Sequence, residues 1–413
     1  MKIRVAILGI DTPIGLTLVR ALGRSGVHVH GIGRSAYAIG GASRHCHGFS
    51  VRGAGPMADW LPEILASARA DALIAVSEGD LIALATLPET IGNCRILTPR
   101  EAPLSTVLDK SRTLSIAADI GIDVPQSWQP VAGDDWAAKA ATLSFPLVAK
   151  WADPNALVAR LDAAGLALDK VAYVADVDAL LVLRDHYAPI GQWPLLQSYA
   201  PGFGLGQMLH MADGRATLRF QHRRIHEWPV TGGVSSLCEN IEHGFEAQFA
   251  KSEALLAAIG WTGPAMVEYR HDPASGKCVL MEVNGRFWGS LPLAHAAGAW
   301  FAREQIAHAF PDALLPPAPA RRHARARFLV PEGRRLLSIL RHGGGEDSVQ
   351  ARLAHDGARW CIEVLDRGAG VPADERERIF EPFYRSRGAS EREALMAVVD
   401  WLARETATGL EPG

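Results

Sequence analysis

The fold is decided by one stretch, GPAMVEYRHDPASGKCVLMEVNGR, which runs from Gly263 to Arg286. Two strand-like runs flank its turn-rich segment DPASGK, and this arrangement predicts a β-hairpin. Glu282 and Asn284 are two positions apart, so their side chains face the same side of a strand. Pairing across the hairpin brings Glu268 beside them, and Arg286 is again two residues further along. The stretch therefore predicts two carboxylates, one amide and one guanidinium on a single face.

The carboxylates and the amide of this face offer only oxygen ligands. Mg²⁺ prefers such a hard site and keeps its other positions for water and phosphate oxygens, with Mn²⁺ as the alternative ion. Arg286 is positioned to stabilise a phosphoryl group during its transfer. A solvent-facing strand with ordinary acids is the alternative interpretation. The flanking segments VLM and FWGSLPLA argue against that alternative, because both are strongly apolar.

The N-terminal region reads as alternating strands and helices. IRVAILGI is a short buried-strand run, GLTLVRALGRSG has helical periodicity, and VHVHGIG predicts a second strand. DALIAVSEGDLIALATL continues with another strand and helix. The alternation predicts a parallel α/β domain of Rossmann type. Gly9 and Gly15 do not form G-x-G-x-x-G, and no acid closes the second strand, so we predict no nicotinamide cofactor.

From about Leu108 the pattern changes to mixed helices and strands. DKSRTLSIAADIGIDVPQSW predicts a helix, a glycine stop and the beginning of a strand. FPLVAKW predicts a strand that ends in lysine, and WPLLQSYAPG predicts a strand that ends in a Pro-Gly turn. GQMLHMADGRATLRFQHRR predicts another hairpin, which turns at Asp213 and Gly214. Prolines between residues 316 and 319 mark a linker.

Five motifs in the right order resemble the ATP-grasp superfamily, of the carboxylate–amine ligase type. MEVNGRFWGS resembles its E-x-N-x-R signature. Lys110 in LDKSRT and Lys150 at the end of FPLVAK match its two nucleotide-binding lysines. LLQSYAPGFGLGQ matches the hinge strand that holds adenine, and FQHRRIHEWPVTGGVSS matches a stretch of some uncharacterised members. The resemblance extends to about residue 340.

The resemblance implies a fold of α/β and α+β class, with a Rossmann-like N-terminal domain and a two-lobed ATP-grasp domain that clamps ATP. It also implies a reaction, in which a substrate carboxylate attacks the γ-phosphate of ATP and an amine then displaces phosphate from the acyl phosphate. The predicted boundaries are 1–107 for the Rossmann-like domain, 108–195 for the small lobe, 196–315 for the large lobe with the metal site, 316–340 for the linker and the end of the ligase body, and 341–413 for a C-terminal fragment.

The resemblance also implies roles for individual residues. Arg286 is the implied catalytic residue, and the implied metal ligands are Glu268, Glu282 and Asn284. The residues implied to bind ATP are Lys110, Lys150, Gln197, Ser198, Tyr199, Ala200 and Gln207. The candidates to bind an anionic substrate group, with a phosphate contact or a structural role as the alternatives, are His222, Arg223 and Arg224.

Three positions depart from the family pattern. Ser198 replaces the usual acid of the hinge, and Gln207 stands where members often place an acid for the ribose. Gly285 replaces the usual proline after the signature asparagine. These departures predict weakened but not abolished ATP binding. They leave a non-catalytic or impaired nucleotide-binding chimera as the second hypothesis.

The stretch IEVLDRGAGVPADERERIFEPFYRSRG, from Ile362 to Gly388, resembles another family, the ATP-binding domain of sensor histidine kinases. Its DRGAG and FEPF segments match the D-x-G-x-G and F boxes of that domain. However, Ser338 stands where the N box needs an asparagine for magnesium, and no second glycine box follows Arg392. No phosphoacceptor-histidine helix precedes the segment. We therefore predict a non-functional ATPase-like fragment over residues 341–413, and a histidine kinase is only the third hypothesis.

Composition and charge restrict the partners. The net charge of −3 provides no global cationic field, so we predict no nucleic-acid partner. No apolar run approaches the ~20 residues that cross a bilayer, so we predict no membrane partner. The five cysteines are scattered and odd in number, which suits a reducing cytoplasm. The expected partners are small molecules, a carboxylate and an amine.

Overall fold

The computed structural model describes residues 3–151, 154–167, 171–228, 233–342, 350–355 and 360–365. The chain divides into one unit from Met1 to Gly333 and a second unit from Arg334 to Gly413. In its described part, the first unit contains three sheets, and each is built from a separate part of the sequence. None of the described helices has the length and the apolar character needed to cross a membrane.

The N-terminal sheet is parallel except at one edge, as the strand–helix alternation predicts. Its strands are β1 (Arg4–Leu8), β2 (His28–Gly33), β3 (Gly48–Val51), β4 (Ala72–Ala75), β5 (Thr90–Ile91) and β6 (Cys94–Ile96). Its helices are α1 (Pro13–Arg24), α2 (Met57–Ala68) and α3 (Glu78–Ala85). The strand order is β3-β2-β1-β4-β6-β5, and only β5 runs antiparallel to its neighbour. The predicted Rossmann-like fold is confirmed, and the loops after β1, β2 and β4 share one edge.

The turn between β4 and α3 is fixed by a buried ion pair. Arg52 donates to both carboxylate oxygens of Asp80, at 2.8 and 2.7 Å. The Ser77 hydroxyl donates to the same carboxylate at 2.6 Å and accepts from the Asp80 backbone N–H. Because Ser77 caps α3 in this way, the position of Glu78 in the first turn of the helix is set by these contacts.

We predict that Arg52→Met lowers the free energy of unfolding by about 3–5 kcal/mol, because it leaves a buried carboxylate unpaired. Urea unfolding of the purified protein measures this change. The control is Arg184→Met. The Arg184–Asp185 pair has the same 2.7 Å N–O distance but is exposed, so its loss should leave the unfolding midpoint unchanged. Equal effects of the two substitutions would contradict the prediction.

The small lobe has a sheet and a hydrophobic core of its own. Its elements are β7 (Ser127–Trp128), α6 (Trp136–Ala140), β8 (Leu147–Lys150), α7 (Pro154–Ala163), β9 (Val171–Val174), α8 (Val177–Tyr187), a 3₁₀ turn (Ala188–Ile190) and β10 (Leu195–Ser198). Helices α4 (Glu101–Leu108) and α5 (Lys110–Asp119) precede this lobe, and Leu104 and Leu114 of these helices pack in a different core, with residues of the N-terminal domain and the large lobe. The strand order is β7-β10-β8-β9, with antiparallel pairing. Trp128, Trp136 and Leu196 lie in the core of this lobe. Strand β10 crosses the predicted boundary at residue 195.

The large lobe is an antiparallel sheet with helices packed against it. Its elements are β11 (Phe203–Ala212), β12 (Arg215–Trp228), β13 (Val234–Asn240), α9 (Glu246–Ile259), β14 (Gly263–His271), β15 (Cys278–Asn284), α10 (Leu291–Ala296), α11 (Phe301–Ala309) and β16 (Arg325–Arg327). The strand order is β15-β14-β11-β12-β13-β16. Both predicted hairpins are present, and the first turns at Asp213 and Gly214, whose φ angles of 50° and 75° suit a tight turn.

The N-terminal domain and the large lobe share two hydrophobic cores. Leu73 of β4 and Tyr269 of β14 belong to one core. Ile7 of β1 and Trp288, which precedes α10, belong to the other. The side-chain amide of Gln305 also donates to the backbone oxygen of Leu97 across this junction, at 3.3 Å. These two parts of the chain therefore form one packed body, whereas the small lobe packs around a separate core.

The second unit is described only in part. Helix α12 (Leu329–His342) runs across the division at Gly333, and it is followed by β17 (Gln350–His355) and β18 (Trp360–Leu365). These two strands pair antiparallel over their whole length. Ser338 lies in α12. The D-x-G-x-G and F boxes of the sequence, which begin at Asp366, lie outside the described residues.

Candidate nucleotide and metal site

The predicted metal ligands lie in one row across the large-lobe sheet. Glu268 of β14 is directly opposite Glu282 of β15, and on its other side it is opposite Gly206 of β11. Gly206 is in turn opposite His222 of β12. Residues directly opposite each other share a face, so the two carboxylates are neighbours. The Asn284 side chain, two positions further along β15, donates to Glu282 Oε1 at 3.0 Å.

The two carboxylates have different electrostatic surroundings. Burial raises the pKa of Glu268, and the nearby Arg224 guanidinium only partly opposes that rise. Burial would also raise the pKa of Glu282. The Lys110 cation, the hydrogen bond from Asn284 and further cations outweigh burial there, so the pKa of Glu282 lies below its ordinary value. A cation placed between Glu268 and Glu282 would therefore stabilise the ionised form of both carboxylates.

Arg224 neutralises Glu268 directly. Its Nη2 lies 2.6 Å from Glu268 Oε1, and its Nη1 donates to the backbone oxygen of Gly233 at 3.0 Å. The same Nη1 lies 3.4 Å from Glu227 Oε1, and Arg270 Nη1 lies 2.8 Å from the other Glu227 oxygen. Buried charges of alternating sign thus connect β12 with β14.

Two glycines of β11 make room for this contact. A Cβ atom on Gly204 would lie 2.6 Å from Arg224 Cδ, and a Cβ atom on Gly206 would lie 2.6 Å from His222 Nε2. Real Cβ atoms essentially never approach that closely. The Arg224 side chain therefore crosses β11 over a position that has no side chain. This explains why the segment GFGLGQ has glycine at alternate positions.

We predict that Gly206→Ala destabilises the protein by about 1–3 kcal/mol, because the new methyl group overlaps the buried imidazole of His222. Thermal unfolding measures the change. The control is Gly79→Ala in α3, where an added Cβ meets nothing within 4 Å. That substitution should be neutral or slightly stabilising, since alanine is the better helix former. A Gly206→Ala protein as stable as the control would show that the sheet adjusts freely.

Both predicted nucleotide lysines converge on Glu282. Lys110 is the first residue of α5, and its Nζ lies 3.7 Å from Glu282 Oε2. Lys150 is the last residue of β8, in the small lobe. Burial lowers the pKa of Lys150; Glu282 opposes that shift, and the Lys110 cation adds to it. The lysines therefore belong to one electrostatic cluster, although they are distant in sequence.

The cluster has an excess of positive charge. The described residues that compose it are Lys110, Lys150, Arg224 and Arg270 as cations and Glu227, Glu268 and Glu282 as anions. With all groups charged, its net charge is +1. An anionic ligand with many oxygens is therefore favoured, and a divalent cation between the two row carboxylates would increase that preference.

Arg286 lies beyond the end of β15, so strand alternation does not orient it. Its Nε lies 3.0 Å from Glu78 Oε1 of the N-terminal domain, and its Nη1 donates to the Phe287 backbone oxygen at 3.2 Å. A Cβ atom on Gly285 would lie 2.3 Å from Trp261 Cη2. The Trp261 ring thus occupies the space that the family's usual proline would need.

The hinge residues Gln197 and Ser198 use their side chains inside the small lobe. Gln197 is buried, and its Nε2 donates to the Ser127 hydroxyl at 3.1 Å. The Ser198 hydroxyl accepts from the Gln126 backbone N–H at 3.1 Å. The Tyr199 side chain is 39% exposed, and Ala200 is buried. Among these hinge residues, Tyr199 is exposed and Ser198 is half-buried, so the Tyr199 side chain is the most accessible to an adenine.

Gln207 points away from the carboxylate row. It follows Gly206 on β11, so its side chain lies on the opposite face of the sheet. There it is fully buried, accepts from the Ser252 hydroxyl at 2.7 Å and donates to Gln221 Oε1 at 3.2 Å. A ribose contact by this side chain would require the network to open.

The three candidate substrate residues have three different environments. Only Arg224 reaches the carboxylate pair. His222 is buried at the end of the row, and its Nδ1 lies 3.0 Å from the Ser290 hydroxyl. Arg223 is on the other face, where it pairs with Glu239 at 2.6 Å. The segment 229–232, which belongs to the same sequence motif, lies outside the described residues.

We predict a pH-dependent contribution of His222 to stability. Burial, with the nearby Arg224 charge, lowers its pKa to about 3. Between pH 6 and 4 the unfolded chain binds a proton at this histidine and the folded chain does not. The free energy of unfolding should therefore fall by about 1.4 kcal/mol for each unit by which the pH is lowered in this range. His222→Gln should remove this part of the slope in urea unfolding measured at pH 4, 5, 6 and 7. Equal slopes in both proteins would contradict the prediction.

Sequence reasoning missed the contacts that orient the cluster. It did not pair Arg224 with Glu268, and it did not connect Glu78 with Arg286. A signal for the first contact was present, since glycines at positions 204 and 206 leave one face of a strand without side chains. No local signal marks the second contact, because its partners are 208 residues apart.

Solved structures show the same fold at low sequence identity. N5-carboxyaminoimidazole ribonucleotide synthetase in complex with ADP matches with a TM-score of 0.61 and 14% identity, over 83% of this chain and 85% of that chain. The biotin carboxylase domain of Hydrogenobacter thermophilus 2-oxoglutarate carboxylase, in complex with MgADP, ADP and bicarbonate, matches with a TM-score of 0.56 and 15% identity, over 76% and 71%. L-amino acid ligase from Bacillus licheniformis matches with a TM-score of 0.54 and 15% identity, over 76% and 75%.

These similarities show that the chain has the ATP-grasp fold, which confirms the resemblance inferred from the motifs at the level of the fold. The chain spans only 28% of the length of Rhizobium etli pyruvate carboxylase, which it also matches. No curated protein matches the sequence. A family model described as histidine kinase-, DNA gyrase B-, and HSP90-like ATPase matches residues 336–407. The tail's resemblance to that ATPase family is thereby confirmed.

Proposed function

We propose that the chain is an ATP-dependent, Mg²⁺-dependent ligase that joins a carboxylate to an amine through an acyl phosphate. The observation that carries the proposal is the convergence of Lys110, Lys150 and Arg224 on the Glu268–Glu282 pair. These cations come from three separate segments of the chain. Such an arrangement suits a transferring phosphoryl group, for which positioning and charge neutralisation supply most of the catalysis.

The residues of the row fit a magnesium ion by their donor chemistry. Glu268 and Glu282 offer carboxylate oxygens, and Asn284 offers an amide oxygen once its side chain rotates away from its hydrogen bond to Glu282. Arg224 would remain beside Glu268 as a charge partner. Magnesium, when bound, would neutralise phosphate oxygens and hold them next to the carboxylate pair.

The proposed reaction has two balanced steps. In the first, a carboxylate oxygen of the substrate forms a bond to the γ-phosphorus of ATP, and the bond from that phosphorus to the ADP oxygen breaks. In the second, the amine nitrogen bonds to the acyl carbon, phosphate leaves, and the amine loses a proton. Lys110 and Lys150 bind phosphate oxygens, and Arg286 stabilises the phosphoryl group as it is transferred.

Findings on similar structures support parts of this proposal. Two of the matched structures contain ADP, one of them as MgADP, and a third is an L-amino acid ligase. The proposed chemistry lies within the unit Met1–Gly333. We assign no kinase reaction to the tail, because Ser338 stands at the asparagine position of the N box and no second glycine box follows Arg392. In the described part of the chain, four cysteines are free thiols, which suits a reducing compartment. We propose that this compartment is the cytoplasm.

We predict that Lys150→Met weakens binding of a non-hydrolysable ATP analogue at least about tenfold, because a half-buried cation of the cluster is lost. Calorimetric titration in excess Mg²⁺ measures this affinity. Lys139→Met, an exposed lysine of the same lobe, is the control. Normal affinity in the Lys150 variant would contradict the nucleotide site.

We also predict that Glu282→Gln lowers turnover about 100-fold, the usual scale for one electrostatic stabiliser. ADP release with pooled acids and amines measures this turnover.

A further inference from the structure

One ion pair joins the N-terminal domain to the signature arginine. Arg286 Nε lies 3.0 Å from Glu78 Oε1, and the two residues are 208 positions apart in sequence. The Glu78 side chain is 50% exposed, whereas that of Arg286 is 25% exposed. The pair therefore lies at the surface of the site, next to the end of the strand that carries Glu282 and Asn284. A ligand can reach it.

Arg286 is held in place without Glu78. Its Nη1 donates to the Phe287 backbone oxygen at 3.2 Å, and the preceding Gly285 packs tightly against the ring of Trp261. Phe287 belongs to a core that the N-terminal domain and the large lobe share. Within the described residues, Arg286 Nη2 has no hydrogen-bond partner. The guanidinium can therefore bind an anion while its backbone stays in position.

Glu78 is the accessible acid on its turn. Asp80, two residues further along, is buried and bound by both Arg52 and Ser77. Those contacts fix the turn without occupying the Glu78 carboxylate. Because an exposed ion pair contributes little to stability, a competing ligand can separate Glu78 from Arg286 at small cost. The buried Arg224–Glu268 pair is a poor candidate for such an exchange.

Resting on the proposed ligase function, we propose that the acid substrate is an amino acid with a free ammonium group. A guanidinium beside a carboxylate is the charge complement of this zwitterion, whose own carboxylate and ammonium are separated by a single carbon in an α-amino acid. Arg286 binds the substrate carboxylate, which must lie next to the transferring phosphoryl group, and Glu78 accepts from the ammonium. Glu78 thus determines substrate specificity from the N-terminal domain.

The test uses hydroxylamine as the amine, because it traps an acyl phosphate as a hydroxamate whatever the natural amine is. The full-length protein with Mg²⁺ and ATP is assayed with each L-amino acid and with its matched desamino acid, such as propionate for alanine. The expected result is hydroxamate from amino acids, with kcat/KM for the matched desamino acid about 10- to 100-fold lower. That range is the scale of a hydrogen bond to a charged group.

Glu78→Gln isolates the ammonium contact. This variant should raise KM for the amino acid about 10- to 100-fold, and it should not lower kcat/KM for the desamino acid, whose carboxylate no longer competes with a charged Glu78 for Arg286. Calorimetric titration of the variant with the same amino acid, in the presence of the ATP analogue, should show the same loss of affinity without turnover. The control is Glu89→Gln, which removes an exposed carboxylate of the same domain that pairs with Arg100. It should behave as the parent does.

Two results would overturn the inference alone. The first is an equal loss of kcat/KM for both acids in Glu78→Gln, which would make Glu78 only a positioning residue for Arg286. The second is a parent protein that uses desamino acids as well as amino acids. Absence of hydroxamate from every acid, with the ATP analogue still bound, would instead contradict the ligase function on which the inference rests.

Discussion

The site depends on one electrostatic constraint, which is that Glu268 and Glu282 lie directly opposite each other on adjacent strands. Like charges in such a pair repel, and burial increases the cost of ionising either one. The sheet itself supplies one compensating cation, since Arg224 lies 2.6 Å from Glu268. A second cation comes from outside the sheet, because Lys110 lies 3.7 Å from Glu282. Assembly of the three segments around the carboxylates is thus required by the carboxylates themselves.

The contact of Arg224 with Glu268 requires that β11 has no side chains where the arginine crosses it. The two residues lie on strands that flank β11, so the arginine side chain must cross it. Gly204 and Gly206 leave that face without side chains, although a glycine within a strand has no side chain to pack and loses more backbone freedom on folding than other residues do. A buried pair of this kind is weak evidence for stability. Under the proposed function, the pair and the two glycines beside it serve the binding of an anionic ligand rather than stability.

The residues of the site are divided between two parts of the chain that have separate hydrophobic cores. The N-terminal domain and the large lobe share two cores, so Glu78, Arg286 and the carboxylate row keep fixed relative positions. The small lobe has its own core and contributes Lys150 and the hinge strand. A nucleotide bound by both would connect the small lobe to the packed body. The acid substrate, in contrast, would be recognised entirely within that packed body.

The sequence by itself determined what depends on neighbours along the chain. Strand periodicity predicts both hairpins, the E-x-N spacing places Glu282 and Asn284 on one face, and Lys150 follows from its position at the end of an apolar run. Only the tertiary structure decided which partners these residues meet. Strand alternation directs Gln207 into a buried network, but the predicted ribose role followed a motif rather than that geometry. The Glu78–Arg286 pair joins distant positions, and chain order carries no local record of such a contact.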